Sequence, residues 1–111
     1  MRRCFALGLL LLAFGARAQE HFIDGAALYE RLQRKDATAI AYIFGVYDAI
    51  QVVQYHGSLA EQYFCAPPGV TGMQLVEGVR SFVEAEPAMR DFPASILVLR
   101  ALIAMFPCGH K

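Results

Sequence analysis

The stretch ILVLRALIAMFPC, residues 96–108, decides the fold of this chain. Its apolar residues follow one another so closely that Arg100 is its one charge, which is typical of a helix buried at the centre of a small domain. Pro107 ends this helix, because proline has no backbone N–H to donate and its ring clashes with the preceding turn. Cys108 follows at once. The stretch therefore predicts a central helix with a cysteine fixed at its end.

Residues 1–18 have the three regions of a secretory signal. Two arginines precede an apolar run of about a dozen residues, and Ala16-Arg17-Ala18 supplies the small residues of a cleavage site. A membrane anchor is the alternative, but a span needs roughly 20 apolar residues and this run is shorter. We therefore predict cleavage after Ala18, which leaves residues 19–111 as a single soluble domain in the periplasm.

Two cysteines, Cys65 and Cys108, remain once the signal takes Cys4 with it. An even number of cysteines in an oxidising compartment favours a disulfide. The pair would close a loop of 43 positions, and chain entropy gives such a staple roughly 4 kcal/mol as an upper guide. Zinc held by thiolates and histidines is the alternative, but export favours the disulfide. We predict a Cys65–Cys108 disulfide and no metal site.

Helical signals fill the rest of the mature chain, and no segment alternates apolar and polar residues over the length of a strand. Asp24 and Asp36 are placed to cap two helices, and Thr71 with Gln74 matches a capping box at the start of a third. The predicted helices end near residues 33–35, 55 and 85, and the last one begins near residues 91–93. The sequence therefore predicts an all-α fold, a small bundle of about four main helices stapled by one disulfide.

The second predicted helix carries two kinds of stripe. Its larger apolar residues recur at intervals of three and four and predict one buried face, made of Ile40, Ile43, Phe44, Tyr47 and Ile50. A second line holds small residues, with Ala41, Gly45 and Ala49 four positions apart, and it would let another helix approach closely. Packing inside the domain and a helix crossing in a homodimer are both left open as its purpose.

Charge and motif content exclude several classes of function. The whole chain holds 10 basic and 10 acidic residues, and the signal removes three arginines and no acid, so the mature net charge of −3 disfavours nucleic acid. No nucleophile turn, redox cysteine motif or phosphate-binding loop occurs. No second long apolar run is recognised, so no membrane span is expected after the signal is cleaved. The sequence thus indicates neither an enzyme nor a cofactor.

A set of short motifs adds a resemblance. It comprises YIFGVYDA at residues 42–49, FCAP at residues 64–67, Gln74 with Val79, Pro87, Ala101-Leu102, and Phe106-Pro107-Cys108. From about residue 41 to residue 108 the chain resembles the Rap/Tai family, the periplasmic immunity proteins of type VI secretion. The resemblance implies a small all-α bundle that protects its own cell from a peptidoglycan amidase effector. It also implies that some members act as dimers that block the active-site cleft of the enzyme.

Two polar connections, residues 56–62 and 84–91, could reach into a partner's cleft. We expect the second to make the contact, because it joins several charges to an apolar anchor. Its candidate residues are Glu84, Glu86, Met89, Arg90 and Asp91. An ordinary solvated connection is the alternative for either loop. The leading hypothesis is a protein that inhibits a cell-wall amidase by steric occlusion, and the rival is a periplasmic stress or chaperone-like helical binding protein.

Overall fold

A computed structural model describes residues 22–56 and 62–109. Its four helices are α1 (Gly25–Gln33), α2 (Ala37–His56), α3 (Gly72–Ala85) and α4 (Ala94–Met105), and a 3₁₀ turn, Pro87–Met89, lies between α3 and α4. Within the described ranges the only β-type pairing is an isolated bridge between Asp24 and Pro93. The predicted all-α bundle of four main helices is confirmed, whereas the signal, residues 1–18, lies outside the described residues.

Side chains at the predicted positions cap the helices. Asp24 Oδ1 accepts a hydrogen bond of 2.8 Å from the backbone N–H at the third position of α1. Asp36 Oδ1 accepts bonds of 2.8 Å from both the backbone N–H and the hydroxyl of Thr38, and these bonds lower the pKa of the Asp36 carboxyl. Thr71 and Gln74 form the reciprocal capping box. These bonds satisfy N–H groups that have no partner inside their helix.

The core is centred on α4, as the sequence predicts. Five of its twelve residues are buried, and it packs against each of the other three helices. The largest fully buried side chains supplied by the helices are Leu28, Ile43, Val79, Val83, Leu97, Val98 and Leu102. Each contributes about 1.5–3 kcal/mol of hydrophobic stabilisation relative to an exposed position.

The disulfide joins the segment before α3 to the end of α4. The Cys65–Cys108 Sγ–Sγ distance is 2.02 Å and the two Cα atoms lie 4.9 Å apart, so the predicted pairing is confirmed. The N–H of Cys65 donates to the carbonyl of Phe106 at 2.8 Å. Phe64 is buried between the Tyr47 and Phe106 rings. The staple therefore secures a short segment that is also held by packing and by a backbone bond.

Phe44 does not belong to the buried face predicted for α2. Ile43 is fully buried and Ile50 is half-buried, but Phe44 is 37% exposed. Its ring lies over the start of α3, where a Cβ on Gly72 would come within 2.7 Å of the ring. The prediction for Phe44 was wrong because the start of α3 covers only part of this ring.

α2 is less buried than its composition predicts. An 18-residue stretch of α2 has a mean hydropathy of 1.2, so by length and composition α2 could cross a membrane. Only 11% of that stretch is buried, however. The expectation that no second long apolar stretch follows the signal is therefore wrong for α2. A core helix of a soluble protein passes the same test, but such a helix is mostly covered. On α2, Val52 is 58% exposed and Val53 is also exposed.

Candidate partner-binding surfaces

The small residues of α2 face outward. Ala41 and Ala49 are exposed, and a Cβ added to Gly45 would meet no heavy atom of the described residues within 4 Å. Gly45 follows Ile43 by two residues, which at about 100° per residue places it on the opposite side of the helix from the core. Packing against a described element therefore does not account for Gly45, the central residue of this stripe. The other explanation, a contact with a second copy, stays a prediction.

The connection between α3 and α4 is bound tightly to the start of α1. The N–H of Gly25 donates to the carbonyl of Phe92 at 2.8 Å, and the N–H of Ala26 donates to the carbonyl of Arg90 at 2.9 Å. A Cβ on Gly25 would lie 2.9 Å from the Cα of Arg90. The close approach of the two backbones thus requires glycine at position 25. The candidate loop therefore has a defined shape, which these backbone hydrogen bonds to α1 maintain.

Two of the five candidate residues help to hold this loop against the rest of the domain. The guanidinium of Arg90 lies over the Tyr29 ring, and its buried Nε has no hydrogen-bond partner within the described part of the chain. Met89 is half-buried and packs against the core. The side chain that the sequence predicts as an apolar anchor for a partner is therefore largely engaged by its own domain.

The acidic candidates differ in how they are engaged. Arg80 donates to Glu84 at 3.2 Å and to Glu77 at 2.7 Å, and this guanidinium lowers the pKa of Glu77. Glu86 and Asp91 are exposed and form no ion pair within the described residues. They are the two candidate acids that remain open to a partner.

Phe92 is a surface residue that sequence reasoning missed. It is 49% exposed and follows Asp91 directly. The signal that could have found it is an aromatic residue between an acid and a proline in a predicted loop, where no helical period assigns it to the core. The loop thus exposes two acidic side chains and one aromatic side chain, and we call this set, Glu86, Asp91 and Phe92, the acidic–aromatic edge.

The other candidate connection is described only at its ends. His56 and Gln62 are exposed, and residues 57–61 lie outside the described residues. The end of α2 is hydrogen-bonded to the chain that follows this connection. Gln54 Oε1 accepts hydrogen bonds from the N–H groups of Tyr63 and Phe64 at 2.8 and 3.1 Å. These two hydrogen bonds fix the position of residues 63 and 64 against α2.

Metal-ligand chemistry is not assembled in the part of the chain that the structure describes. No group of three His, Cys, Asp or Glu side chains there is placed to hold a metal ion. Cys65 and Cys108 are joined in the disulfide. The described surface carries exposed apolar side chains and charged groups, which are the features through which proteins bind one another.

Comparison with known families identifies one match. The family model described as Rap1a immunity proteins matches residues 24–108, a region that begins at the cap of α1 and ends at the second cysteine of the staple. Comparison with the curated proteins gives no match, and comparison with the solved structures gives none either. Immunity proteins bind effector proteins and are not an enzyme family. The predicted resemblance is confirmed, and the chain belongs to the Rap1a immunity protein family.

Proposed function

We propose that this protein is a periplasmic immunity protein that binds a peptidoglycan amidase effector of type VI secretion and inhibits it sterically, without chemistry of its own. The observation that carries the proposal is the family match over residues 24–108. The secretory signal at residues 1–18 supports a periplasmic location, where the amidase would find its substrate. The disulfide suits the same oxidising compartment.

The acidic–aromatic edge is the contact we propose for the effector. Glu86 and Asp91 supply charge that accelerates encounter with a partner of opposite charge. Phe92 supplies an apolar surface of the kind that dominates binding energy. Arg90 and Met89 act indirectly, because they hold the loop in shape before the partner arrives. A loop that is already ordered loses less conformational entropy on binding.

A homodimer through α2 is the second element of the proposal. We define the α2 outer face by its exposed apolar and small residues, which are Ala41, Phe44, Gly45, Ala49, Val52 and Val53. Exposed contiguous apolar surface of this kind usually marks an interaction site. Gly45 at its centre would let two copies of α2 cross closely about a two-fold axis. α2 carries no lysine or arginine, so it lacks the cationic face of helices that lie on anionic membranes.

The same exposed face favours a second candidate function. A periplasmic stress or chaperone-like protein would use an apolar surface to hold many unfolded clients. Such a protein would bind several clients weakly, whereas an immunity protein would bind one effector with nanomolar-class affinity, roughly −12 kcal/mol. The number of partners and the affinity for one of them therefore separate the two functions.

Protection of cells is the test of the proposed function. A peptidoglycan amidase effector of type VI secretion is produced in the periplasm with and without the protein, and lysis is followed by optical density. We expect lysis without the protein and survival with it, together with a purified complex of the two proteins. Equal lysis in both cultures, with no complex formed by any neighbouring gene product, would overturn the proposal and favour the stress-protein function.

A further inference from the structure

A cleft of about 240 Å³ lies between α2 and the start of α3. Two aromatic side chains of α2, Phe44 and Tyr47, line it on one side, and Gly72 and Leu75 of α3 line it on the other. Asp48 completes the lining and is the one charged side chain among the described residues that form it. We call this feature the Asp48 cleft. Pockets for drug-sized ligands measure roughly 300–1,000 Å³, so this smaller cleft suits a single side chain.

The aromatic walls of the Asp48 cleft are held in place by their own domain. The Phe44 ring lies against the start of α3, where a Cβ on Gly72 would come within 2.7 Å of it. The Tyr47 ring packs with its centre 5.6 Å from that of Phe64, and the Tyr47 hydroxyl accepts a hydrogen bond of 2.9 Å from Gln51 Nε2. A binding surface that is already ordered loses less conformational entropy when a partner arrives.

The charge in the cleft is negative and unmatched. Asp48 is exposed and forms no ion pair with any described residue, and no lysine or arginine lines the cleft. The partial positive charge at the start of α3 is partly met by the capping box of Thr71 and Gln74. A carboxylate attracts a cation by its charge, and an aromatic face attracts one by its quadrupole. The complementary chemistry is therefore a basic side chain.

We propose that the Asp48 cleft receives an arginine or lysine side chain of the effector, which pairs with the Asp48 carboxylate and lies against the Phe44 and Tyr47 rings. This inference rests on the proposed function. A second copy is disfavoured as the source of the cation, because α2 carries no lysine or arginine. Two copies that cross through α2 at Gly45 would bring no base from that helix to Asp48. The acidic–aromatic edge also exposes unpaired acids, so both surfaces are complementary to positive charge on the same partner.

Removal of the charge is the first test, with the amidase that the protein protects against as the probe. Asp48→Asn keeps the shape of the side chain and should weaken binding roughly tenfold, and Phe44→Leu should weaken it by about two- to fivefold. Glu30→Gln is the matched control, because it also removes one acid from an exposed helical position and gives the same net charge as Asp48→Asn. Its affinity should stay within about twofold of wild type. Thermal unfolding checks that each variant is folded.

A double-mutant cycle with the effector identifies the cation itself. Each exposed arginine and lysine of the amidase is changed to alanine and tested against the wild-type protein and against Asp48→Asn. We expect one such change to weaken binding roughly tenfold with the wild-type protein and hardly at all with Asp48→Asn, because the partner of that base is then already absent.

The outcomes separate this site from the immunity function. A complex in which no basic residue of the amidase is coupled to Asp48 overturns the cleft as a site for a basic side chain, while the immunity function stands. Absence of any complex with the wild-type protein overturns both. If Asp48→Asn abolishes self-association, measured by light scattering, and leaves the affinity for the amidase unchanged, the effector is overturned as the source of the cation in favour of a second copy.

Discussion

The guanidinium carbon of Arg90 lies 3.9 Å from the centre of the Tyr29 ring. This contact joins the α3–α4 connection to α1 across 61 positions of sequence. It explains why the connection keeps a defined shape although its backbone is mostly at the surface. A cation over an aromatic face is worth roughly 0.5–2 kcal/mol, depending on how far it is removed from water.

We expect Arg90→Ala and Tyr29→Leu to be coupled in their effects on stability. Each should destabilise the protein by about 1–2 kcal/mol, and a double-mutant cycle should give a coupling energy of about 0.5–1.5 kcal/mol. Arg90→Lys should recover only part of it, because the ammonium keeps the charge and loses the flat stacking surface. Urea unfolding of the four variants gives these values. Strictly additive effects would show that the two side chains are merely neighbours.

Two glycines of this chain should respond oppositely to the same substitution. Gly25→Ala should destabilise the protein by about 1–3 kcal/mol, because the new Cβ would come too close to the backbone of Arg90. Gly45→Ala should leave stability unchanged or raise it by up to about 1 kcal/mol, because its Cβ, in the middle of a helix, meets no atom of the described part of the chain. Thermal unfolding of the two variants makes the comparison. A loss of stability at Gly45 would mean that its surface is already covered in the free protein.

What could be predicted from the sequence is what local chemistry determines. The caps at Asp24, Asp36 and Thr71 depend on residues within one helical turn, and the Cys65–Cys108 pairing was predicted from the two cysteines that follow the predicted signal. The exposure of Phe44 and of the small stripe could not be predicted in the same way. α2 is apolar on most of its surface, so periodicity does not say which side its neighbours cover.

The role of the candidate loop was hidden for a different reason. Nothing near Arg90 in the sequence indicates that its partner is Tyr29, because the pairing depends on how α1 packs against α3 and α4. The same packing engages Met89 in the core. Met89→Ala should therefore act first on stability, by leaving a cavity, and a loss of effector binding in that variant would need to be corrected for unfolded protein.

The Cys65–Cys108 disulfide should contribute a large share of the free energy of unfolding. Reduction, or the paired substitution Cys65→Ala with Cys108→Ala, should lower the free energy of unfolding by roughly 2–4 kcal/mol for a closed loop of this length. The two treatments should agree, since both remove the same cross-link. Intact mass and thiol labelling of periplasmic material first establish the oxidised state. Free thiols in the folded exported protein would contradict the disulfide.

The α2 outer face should control the oligomeric state without controlling the fold. Gly45→Leu should leave the helical content of the monomer unchanged, because a Cβ at this position meets no atom of the described residues, and should abolish a dimer in which two copies of α2 cross at this residue. Light scattering coupled to size-exclusion chromatography measures the mass directly. A matched control is Gly109→Leu, since a Cβ at Gly109 also meets no neighbour among the residues that the structure describes. A wild-type protein that is monomeric at all concentrations would exclude the homodimer.

Substitutions in the acidic–aromatic edge should change the association rate and the dissociation rate of the effector separately. Reversing charge at Glu86 and Asp91 together should mainly slow association, by about tenfold at low salt and less at high salt, because exposed charges steer the encounter and are screened by ions. Phe92→Ala should mainly accelerate dissociation, because a packed aromatic side chain holds the complex after it has formed. Binding kinetics with the amidase that the protein protects against, at two salt concentrations, measure both rates, and unfolding curves check that each variant is folded. If all three substitutions leave both rates unchanged in a complex that still forms, the edge lies outside the interface and the effector contact must be sought elsewhere on the domain.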